Sequence, residues 1–403
     1  MNLLRLLFVF VLIIILMLRC VDPINQTLQG RLDLIVIDGT LTNLNEPQVI
    51  YLNRSKSDSL TGRFGTSPLT GAAVEIFIDS SKVVTLNETK PGRYQAPNSF
   101  SGRVGHSYQL RFTLKNGQRY ESTPEVMPAV PTISRLSNTF NPTSLPAQRY
   151  DGQVNLNRAA NDFFVDWLDP AEQRNYYRWD WKLWEKQEWC HTCQQGFYMI
   201  NSPINNTLYE SCFPDDGRNG YYVHDYVCRT ACWEIIHNFE INVFDDQLSD
   251  GGLIQKRKVA QIPYYQDRGC LVEIRQSSLT AQAYRFYKLA QDQTQNNGGV
   301  ADSPPTALLG NVFNVVNNKE RLVGYFAASA VAPLRYWLDR KQNTGGSPGL
   351  FMGLTGLKPS PEGLNVDPND GKPKPSVTFR PLPTAVCVES DTRTPNKPEG
   401  WQD

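Results

Sequence analysis

The stretch SYQLRFTLKNGQRYES, residues 107–122, has the alternation of a two-stranded β-hairpin. Its apolar residues recur at every second position and so share one face of a strand: Tyr108, Leu110, Phe112 and Leu114. The dipeptide Asn116-Gly117 follows, and it favours a type I′ turn, in which both central residues have positive φ. The stretch therefore predicts antiparallel β-structure with one buried face.

Similar short strands occupy the rest of residues 31–123. LDLIVIDG alternates its apolar side chains between two faces, and a further strand is predicted from Ala73 to Ile78. The stretch PLTGAAVEIF, followed later by GRYQAP, resembles the transthyretin-like sandwich. We therefore predict that residues 31–123 form an Ig-like or transthyretin-like β-sandwich domain.

The remaining chain divides into three predicted parts. Residues 124–150 are rich in proline and read as a linker. Residues 151–344 carry the aromatic strand patterns NDFFVDWLDP and NYYRWDWKLWEK, together with one amphipathic helix near 278–295 with Ser278 as its N-cap. Residues 345–403 form a Pro/Gly-rich tail that includes Cys387 and Trp401. The fold class predicted for the whole chain is mainly β, a sandwich followed by a larger β-rich domain.

The first residues have the pattern of an export signal. Arg5 precedes an apolar run from Leu6 to Leu18, which is short for a transmembrane helix, and Cys20 follows directly. This pattern is similar to a bacterial lipobox, although Arg19 stands where a small residue is usual. We expect a lipoprotein signal peptide over 1–19, lipidation at Cys20 and a tether over 20–30. A plain signal peptide and an uncleaved anchor remain alternatives.

The cysteines indicate structural disulfides. Seven of the eight follow Cys20, and five of these seven fall between residues 190 and 232; the candidates are Cys190, Cys193, Cys212, Cys228, Cys232, Cys270 and Cys387. An exported chain lies where disulfides persist, and an odd number leaves one sulfur without a partner inside the chain. Zinc bound by these cysteines and His191, His224 or His237 is the alternative, but we predict no metal.

Neither composition nor motifs indicate an enzyme. Lys plus Arg and Asp plus Glu are both 40, so no net positive charge favours nucleic acid as a partner. The G-x-S-x-G match at 345–349 places Pro348 where an oxyanion hole needs an N–H group. Acidic turns around Asp245 and Asp246 read as solvated loops rather than calcium sites. We predict no catalytic residue and no cofactor.

Aromatic residues of the second domain are candidates for a binding surface. Disulfides reduce the ordering cost of loops, and exposed Trp and Tyr often dominate interfaces. The predicted contact surface lies around residues 189–233, while residues 31–123 act as a spacer or secondary contact near the membrane anchor. The binding-surface candidates are Trp184, Trp189, Tyr221, Tyr222 and Trp233.

Several segments together resemble a known family. They are LIVIDGTLTN, LTGAAVEIF, NYYRW, QSSLTAQAYRFYKLAQDQ, GNVFNV, GYFAASAV and the KPEGW that follows Cys387. This combination resembles the Bacteroidota outer-membrane lipoproteins grouped as domain of unknown function 4249. The resemblance implies a lipid anchor in the outer membrane, at the cell surface rather than on its periplasmic face. It also implies a TonB-dependent, Sus-like receptor barrel as partner, with the lid lipoprotein of that receptor as a further candidate partner.

The expected function is that of a non-catalytic accessory or binding subunit of such a nutrient-uptake receptor. A structural or assembly component of an envelope complex, without a ligand of its own, is the alternative. A surface glycan or peptide hydrolase is the third reading and has the least support, because no catalytic motif stands out.

Overall fold

The structure is a computed structural model that describes residues 34–57, 64–146, 149–150, 153–154, 158–204, 207–214, 222–249, 251–295, 308–362, 365–366, 373–374 and 384–403. Cys20 and Tyr221 lie outside these residues. The described residues confirm a mainly β fold with two helices. No helix among them is both long enough and apolar enough to cross a membrane.

The strands follow in chain order: β1 (Ile35–Thr42), β2 (Val49–Ser57), β3 (Phe64–Pro68), β4 (Ala73–Ile78), β5 (Lys82–Lys90), β6 (Arg93–Gln95), β7 (Ser107–Thr113), β8 (Arg119–Ser122), β9 (Glu125–Val126), β10 (Arg135–Asn141), β11 (Arg149–Tyr150), β12 (Gln153–Val154), β13 (Ala160–Leu168), β14 (Tyr176–Lys186), β15 (Trp189–Gln194), β16 (Gly196–Ile204), β17 (Thr207–Pro214), β18 (Val223–Cys228), β19 (Trp233–His237), β20 (Asn242–Asp245), β21 (Leu253–Pro263), β22 (Cys270–Ser278), β23 (Val312–Asn314), β24 (Leu322–Ser329), β25 (Val331–Leu338), β26 (Asn365–Val366), β27 (Pro373–Lys374), β28 (Thr384–Ala385) and β29 (Arg393–Thr394). The helices are α1 (Ala281–Gln295) and α2 (Leu350–Thr355).

The N-terminal strands form one continuous sheet that buries a single core. Its order is β23-β8-β7-β4-β5-β6-β2-β1-β24, and β5 pairs with β4 along its first part and with β6 along its second. Strands on both sides of β5 contribute to the same cluster of buried side chains, which includes Ile37, Leu52, Val74, Leu110 and Phe112. The two halves of the sheet therefore enclose the core between them, as in the predicted sandwich.

The hairpin of β7 and β8 forms as predicted, but its turn is of another type. Phe112 pairs with Tyr120 across the strands, and their rings stack with centroids 4.8 Å apart. Among the turn residues only Gly117 has positive φ, so the predicted type I′ geometry at Asn116 is wrong. The N–H of Gly117 donates to the Leu114 carbonyl, and the N–H of Leu114 donates to the Gln118 carbonyl. This pattern is a three-residue loop with a glycine in the left-handed region.

Two strands from the segment assigned to the second domain pair instead with the N-terminal sheet. β23 is antiparallel to β8, and β24 is parallel to β1 over its full length. Two glycines permit this close approach. A Cβ on Gly324, whose φ is +99°, would lie 1.7 Å from the carbonyl oxygen of Ile37, and one on Gly310 would lie 1.4 Å from the Gly324 carbonyl oxygen. The N-terminal sheet is therefore completed by strands that lie about 190 and about 290 positions further along the chain.

The second domain is built on the sheet β25-β22-β14-β19-β29, with β20 also paired to β14. A three-stranded sheet, β10-β13-β21, contributes to the same core, in which Trp167 and Trp179 are fully buried with ring centroids 5.3 Å apart. β10 belongs to the segment 124–150 that we predicted to be a linker, so part of that segment is sheet. It pairs with β13 through seven consecutive residues of its own, Arg135–Asn141.

Helix α1 confirms the predicted helix, with a different N-cap. Ser278 still belongs to β22, where its N–H donates to the Ala330 carbonyl. Thr280 takes the capping role, because its Oγ1 accepts a hydrogen bond from the N–H of Ala283 at 3.2 Å. The apolar face of the helix packs on Tyr325 of β24 and so joins the two sheets.

The C-terminal tail packs on the second domain, contrary to the prediction of an irregular tail outside its core. β28 is parallel to β18, and β29 is antiparallel to β19. Trp401 is buried between Trp233 and Trp337, with ring centroids 5.8 and 4.9 Å away. Proline and glycine prevent long strands in this tail, but two-residue pairings and isolated aromatic residues suffice to attach it.

Candidate functional site

Three disulfides unite five short strands into what we call the disulfide module, formed by β15, β16, β17, β18 and β28. Cys190–Cys228 joins β15 to β18, Cys193–Cys212 joins β15 to β17, and Cys232–Cys387 attaches the C-terminal segment. Together with Tyr198, Tyr226 and Ala385, these cysteines form a small core of their own. Such short strands bury little apolar surface, so covalent links replace much of the hydrophobic stabilisation.

The predicted disulfides are therefore present, with one exception. Cys270 begins β22 in the core of the second domain and is a free, buried cysteine. Burial raises the pKa of its thiol well above the ordinary value, which keeps the group protonated and unreactive. Six of the seven candidate cysteines form bridges, and the seventh acts as a small apolar side chain.

Polar contacts hold the hairpin of β16 and β17 against the rest of the module. The Tyr198 hydroxyl donates to Glu210 at 2.7 Å, and the backbone N–H of Tyr198 donates to the Tyr226 hydroxyl oxygen at 2.9 Å. Burial and the Glu210 carboxylate raise the pKa of Tyr198 to about 12, so the hydroxyl remains a donor at neutral pH. Arg229 pairs with Glu210 at 3.0 Å and also donates to the Thr384 carbonyl, which attaches β28.

Arg393 joins the C-terminal segment to two other elements. Its guanidinium pairs with Glu234 of β19 at 2.8 Å and donates to the Cys190 carbonyl of β15 at 2.7 Å. Both charged side chains are largely buried, with 24 % and 14 % of their area exposed. Charge-assisted hydrogen bonds in such a setting are stronger than surface pairs. The contact fixes one wall of the module against the central sheet.

A groove of about 280 Å³ runs along this wall. The half-buried Trp189 faces Phe351 of α2, with ring centroids 5.9 Å apart, and Leu354 adds to the apolar lining. His191 and Arg393 contribute polar groups to the same lining. An apolar wall with a few fixed polar groups is the usual composition of a binding site.

The structure distributes the predicted binding-surface residues unevenly. Trp184 and Trp233 are buried, at 6 % and 5 % exposure, in a cluster with Leu271 and Trp401, so they are wrong as surface contacts. Trp189 lies in the groove. Tyr222 is half-buried beside His224, with ring centroids 5.3 Å apart.

The sequence reasoning missed the second wall of the groove. Phe351, Leu354 and Arg393 all belong to the Pro/Gly-rich tail, which was treated as irregular. The short run GLFMGLTGL, residues 349–357, was the available signal, since its apolar residues are too dense for a solvated linker.

His191 and several cysteine sulfurs lie as close together as the ligands of a metal site, but the sulfurs are not available as ligands. Nε2 of His191 lies 3.0 Å from Sγ of Cys212, and the sulfurs of Cys190, Cys232 and Cys387 lie within 4.8 Å of one another. A thiolate is the sulfur species that binds zinc, and all four of these sulfurs are bonded to another sulfur. Partial burial and the nearby Arg393 charge lower the pKa of His191, so its imidazole is neutral at pH 7.

The acidic turn after β20 is engaged in structural contacts. Asp245 forms an ion pair with Arg174, and the backbone N–H of Asn175 donates to the Asp246 carboxylate at 2.8 Å. The Arg174 hydrogen bond lowers the pKa of Asp245. Asp246 is fully buried, so the prediction of a solvated turn is wrong for this residue, and these contacts stabilise the turn.

One protein-family model matches this chain. The family is described as Domain of unknown function (DUF4249), and the match covers residues 21–335. No curated protein and no solved structure matches the chain. The matched region contains Trp189 and His191 on one side of the groove, whereas Phe351, Leu354 and Arg393 lie beyond it.

Proposed function

The chain belongs to the family described as domain of unknown function (DUF4249), and from this premise we propose that it is a non-catalytic binding protein of the bacterial cell envelope. In this proposal Cys20 carries a lipid anchor in the outer membrane of a Bacteroidota cell. The disulfide module docks onto a TonB-dependent, Sus-like receptor, and the protein serves as an accessory subunit in nutrient uptake.

The groove beside Trp189 carries the docking part of this proposal. Trp189 and Phe351 present aromatic surface from two different elements, a disulfide-linked strand and the short helix α2. Aromatic anchors in a preformed cleft are the side chains that dominate protein interfaces. Because both elements are already fixed, a partner that inserts an apolar side chain incurs little ordering cost.

The same groove favours binding over catalysis. The carboxylate in its lining, Glu234, and the guanidinium of Arg393 neutralise each other through an ion pair. His191 faces a disulfide sulfur, which has no proton to give up, instead of a nucleophile. General acid–base chemistry needs a titratable group within reach of a proton on substrate or nucleophile, and these groups are otherwise engaged.

The disulfides support an extracytoplasmic location. Three bridges within one module are typical of proteins that fold in an oxidising compartment. The same compartment is where a protein with an export signal and a lipidated cysteine would fold.

The test is co-purification of the full-length tagged protein from detergent-solubilised outer membranes of a Bacteroidota host. Leu354→Arg places a charge in the groove, while Leu248→Arg makes the same change at a turn residue that is 98 % exposed. We expect a TonB-dependent receptor barrel, identified by mass spectrometry, with the wild type and with Leu248→Arg. Leu354→Arg should reduce its recovery at least tenfold. Equal recovery with both variants would show that the groove is not the docking site, and recovery of no receptor barrel would refute the proposed partner.

A further inference from the structure

A second cavity, of about 290 Å³, lies between the N-terminal sheet and the central sheet of the second domain. Strands β1 and β24 contribute Thr40 and Ser329, while β14 and β22 contribute Arg178, Lys182 and Arg275. The cavity is separate from the groove of the disulfide module, because no residue lines both. Its size is at the lower end for ligand sites, which suits a small molecule.

Two of the three basic side chains in the lining already have carboxylate partners. Arg178 pairs with Asp180 at 2.8 Å. Arg275 donates through both terminal nitrogens to Glu46, each at 2.8 Å, and through Nε to Glu273 at 2.7 Å. Arg335 shares Glu273 at 2.8 Å, so three arginines meet three carboxylates, and these groups position the walls of the cavity without attracting a further anion.

Lys182 differs from both arginines. Within the part of the chain that the structure describes, no carboxylate lies at ion-pair distance from its ammonium, which instead lies 5.0 Å from the centre of the Trp184 ring. Burial and the charge of Arg275 lower the pKa of Lys182, as expected for a cation that lacks a close anion. The lining therefore offers one uncompensated positive charge, which matches a monoanion better than a dianion.

Two donors at the other end of the cavity have no partner in the described structure. The Ser329 hydroxyl is completely buried and makes no hydrogen bond, and Nε of Arg178 is also buried and unpaired. An unpaired buried polar group destabilises the fold, so such groups usually meet a ligand or an ordered water. Ser329 lies on β24 near the Arg178 end of the cavity, because Arg178 is paired with Ser277 and the next residue, Ser278, donates to the Ala330 carbonyl.

The geometry points to a ligand with two polar ends. Arg178 and Lys182 are four residues apart on β14, so their backbones lie about 13 Å apart. We propose that this cavity binds a small monocarboxylic acid that carries a hydroxyl or carbonyl group at its other end. The carboxylate pairs with Lys182, and the distal oxygen accepts hydrogen bonds from Ser329 and Arg178. Leu279 and Val331 supply the apolar part of the lining.

The inference goes beyond the proposed docking function and is tested without a receptor. Three probes separate its parts: gluconate carries both polar ends, hexanoate lacks the hydroxyls, and sorbitol lacks the carboxylate. Titration calorimetry on the full chain should give saturable binding of gluconate that is at least tenfold tighter than that of either partial probe. No saturable gluconate binding, or equal affinity for all three, would overturn the proposal.

Two variants test which residue binds each polar end of the ligand. Lys182→Met should weaken gluconate binding about tenfold and leave sorbitol unchanged, whereas Lys186→Met, at an exposed position of the same strand, should leave both unchanged. Ser329→Ala should weaken gluconate binding about threefold to tenfold without affecting hexanoate. Since the hydroxyl is unpaired without ligand, the thermal midpoint of unliganded Ser329→Ala should be equal to or above that of wild type. Unchanged gluconate affinity in both Lys182→Met and Ser329→Ala would also overturn the assignment.

Discussion

Arg340 and Glu185 form an ion pair of which neither side chain has any exposed area. Nη2 of the arginine lies 2.7 Å from Oε1 of the glutamate. The amide of Gln266 donates to the second carboxylate oxygen at 2.8 Å, and the guanidinium also donates to the carbonyls of Pro263 and Arg268. The pair joins the end of β14 to the residues that follow β25, on the two sides of β22.

Removal of Arg340 should be strongly destabilising. Burial raises the pKa of Glu185, and the Arg340 charge is the main opposing influence. Arg340→Met leaves the buried acid without its counter-charge, so we expect a loss of about 3–5 kcal/mol in the free energy of unfolding. Urea denaturation at pH 7 measures this loss.

A double variant shows whether the loss of stability comes from the unpaired buried charge of Glu185 or from the loss of the ion pair itself. Glu185→Leu combined with Arg340→Met should recover most of the stability, because no buried charge remains. Lys341→Met, next to Arg340 but exposed, is the control and should change little. A double variant as unstable as Arg340→Met would contradict this reading of the pair.

Glu273 should contribute to stability in a pH-dependent way. Its side chain is 5 % exposed and lies between Arg275 and Arg335, at 2.7 and 2.8 Å. Burial alone would raise the pKa of Glu273, but the two guanidinium groups together lower it below the ordinary value. Stability from this group is therefore present above the unfolded-state pKa of about 4.3, and it is lost as the pH falls through the folded-state pKa.

The test compares Glu273→Gln with wild type in urea at several pH values. At pH 7 the variant should be less stable by about 2–3 kcal/mol, since two partly buried arginines lose their shared partner. The difference should shrink as the pH falls below about 4. Glu389→Gln, at an exposed position, should show no such trend. A difference that stays constant with pH would show that the charge of Glu273 is not responsible.

The parts of the fold that the sequence predicted are those encoded within one element. The alternation over residues 107–122 and the helical spacing near 281–295 each depend on neighbours a few positions away. The pairing of β24 with β1 has no such local code. A glycine at position 324 is compatible with close approach of another strand, but no residue near it in the sequence identifies Ile37 as the neighbour.

The candidate site was predictable to a similar extent. Cysteine density located the disulfide module, but the spacing could not give its pairing, because any cysteine can reach several others. The sequence marked Trp184 and Trp233 as candidates for a binding surface but could not show what covers them. Trp401, from the far end of the chain, covers Trp233 and makes it part of the core.

Lipidation at Cys20 is the proposal that labelling tests most directly. In a Bacteroidota host fed a clickable fatty acid, the wild type should incorporate label and migrate as the processed form. Cys20→Ala should lack the label and accumulate as the precursor, while Cys270→Ala, which changes the free core cysteine, should still be labelled. Equal labelling of Cys20→Ala would refute the lipid anchor and favour a plain export signal or an uncleaved anchor.

The three disulfides should differ in their contribution to stability according to the loop that each closes. Cys232–Cys387 spans 155 residues and Cys193–Cys212 spans 19, so the chain-entropy argument gives about 5 and about 3 kcal/mol. Replacing both members of each pair with alanine and measuring urea denaturation tests this order. Loss of Cys232–Cys387 should also loosen the segment that carries Arg393, so hydrogen exchange should increase around Glu234 in that variant.

Non-reducing peptide mapping is the prior check of the disulfide pairing, and Cys270 should react with iodoacetamide only after denaturation. All seven thiols found free, or one zinc ion per chain, would contradict the pairing and with it the predicted order.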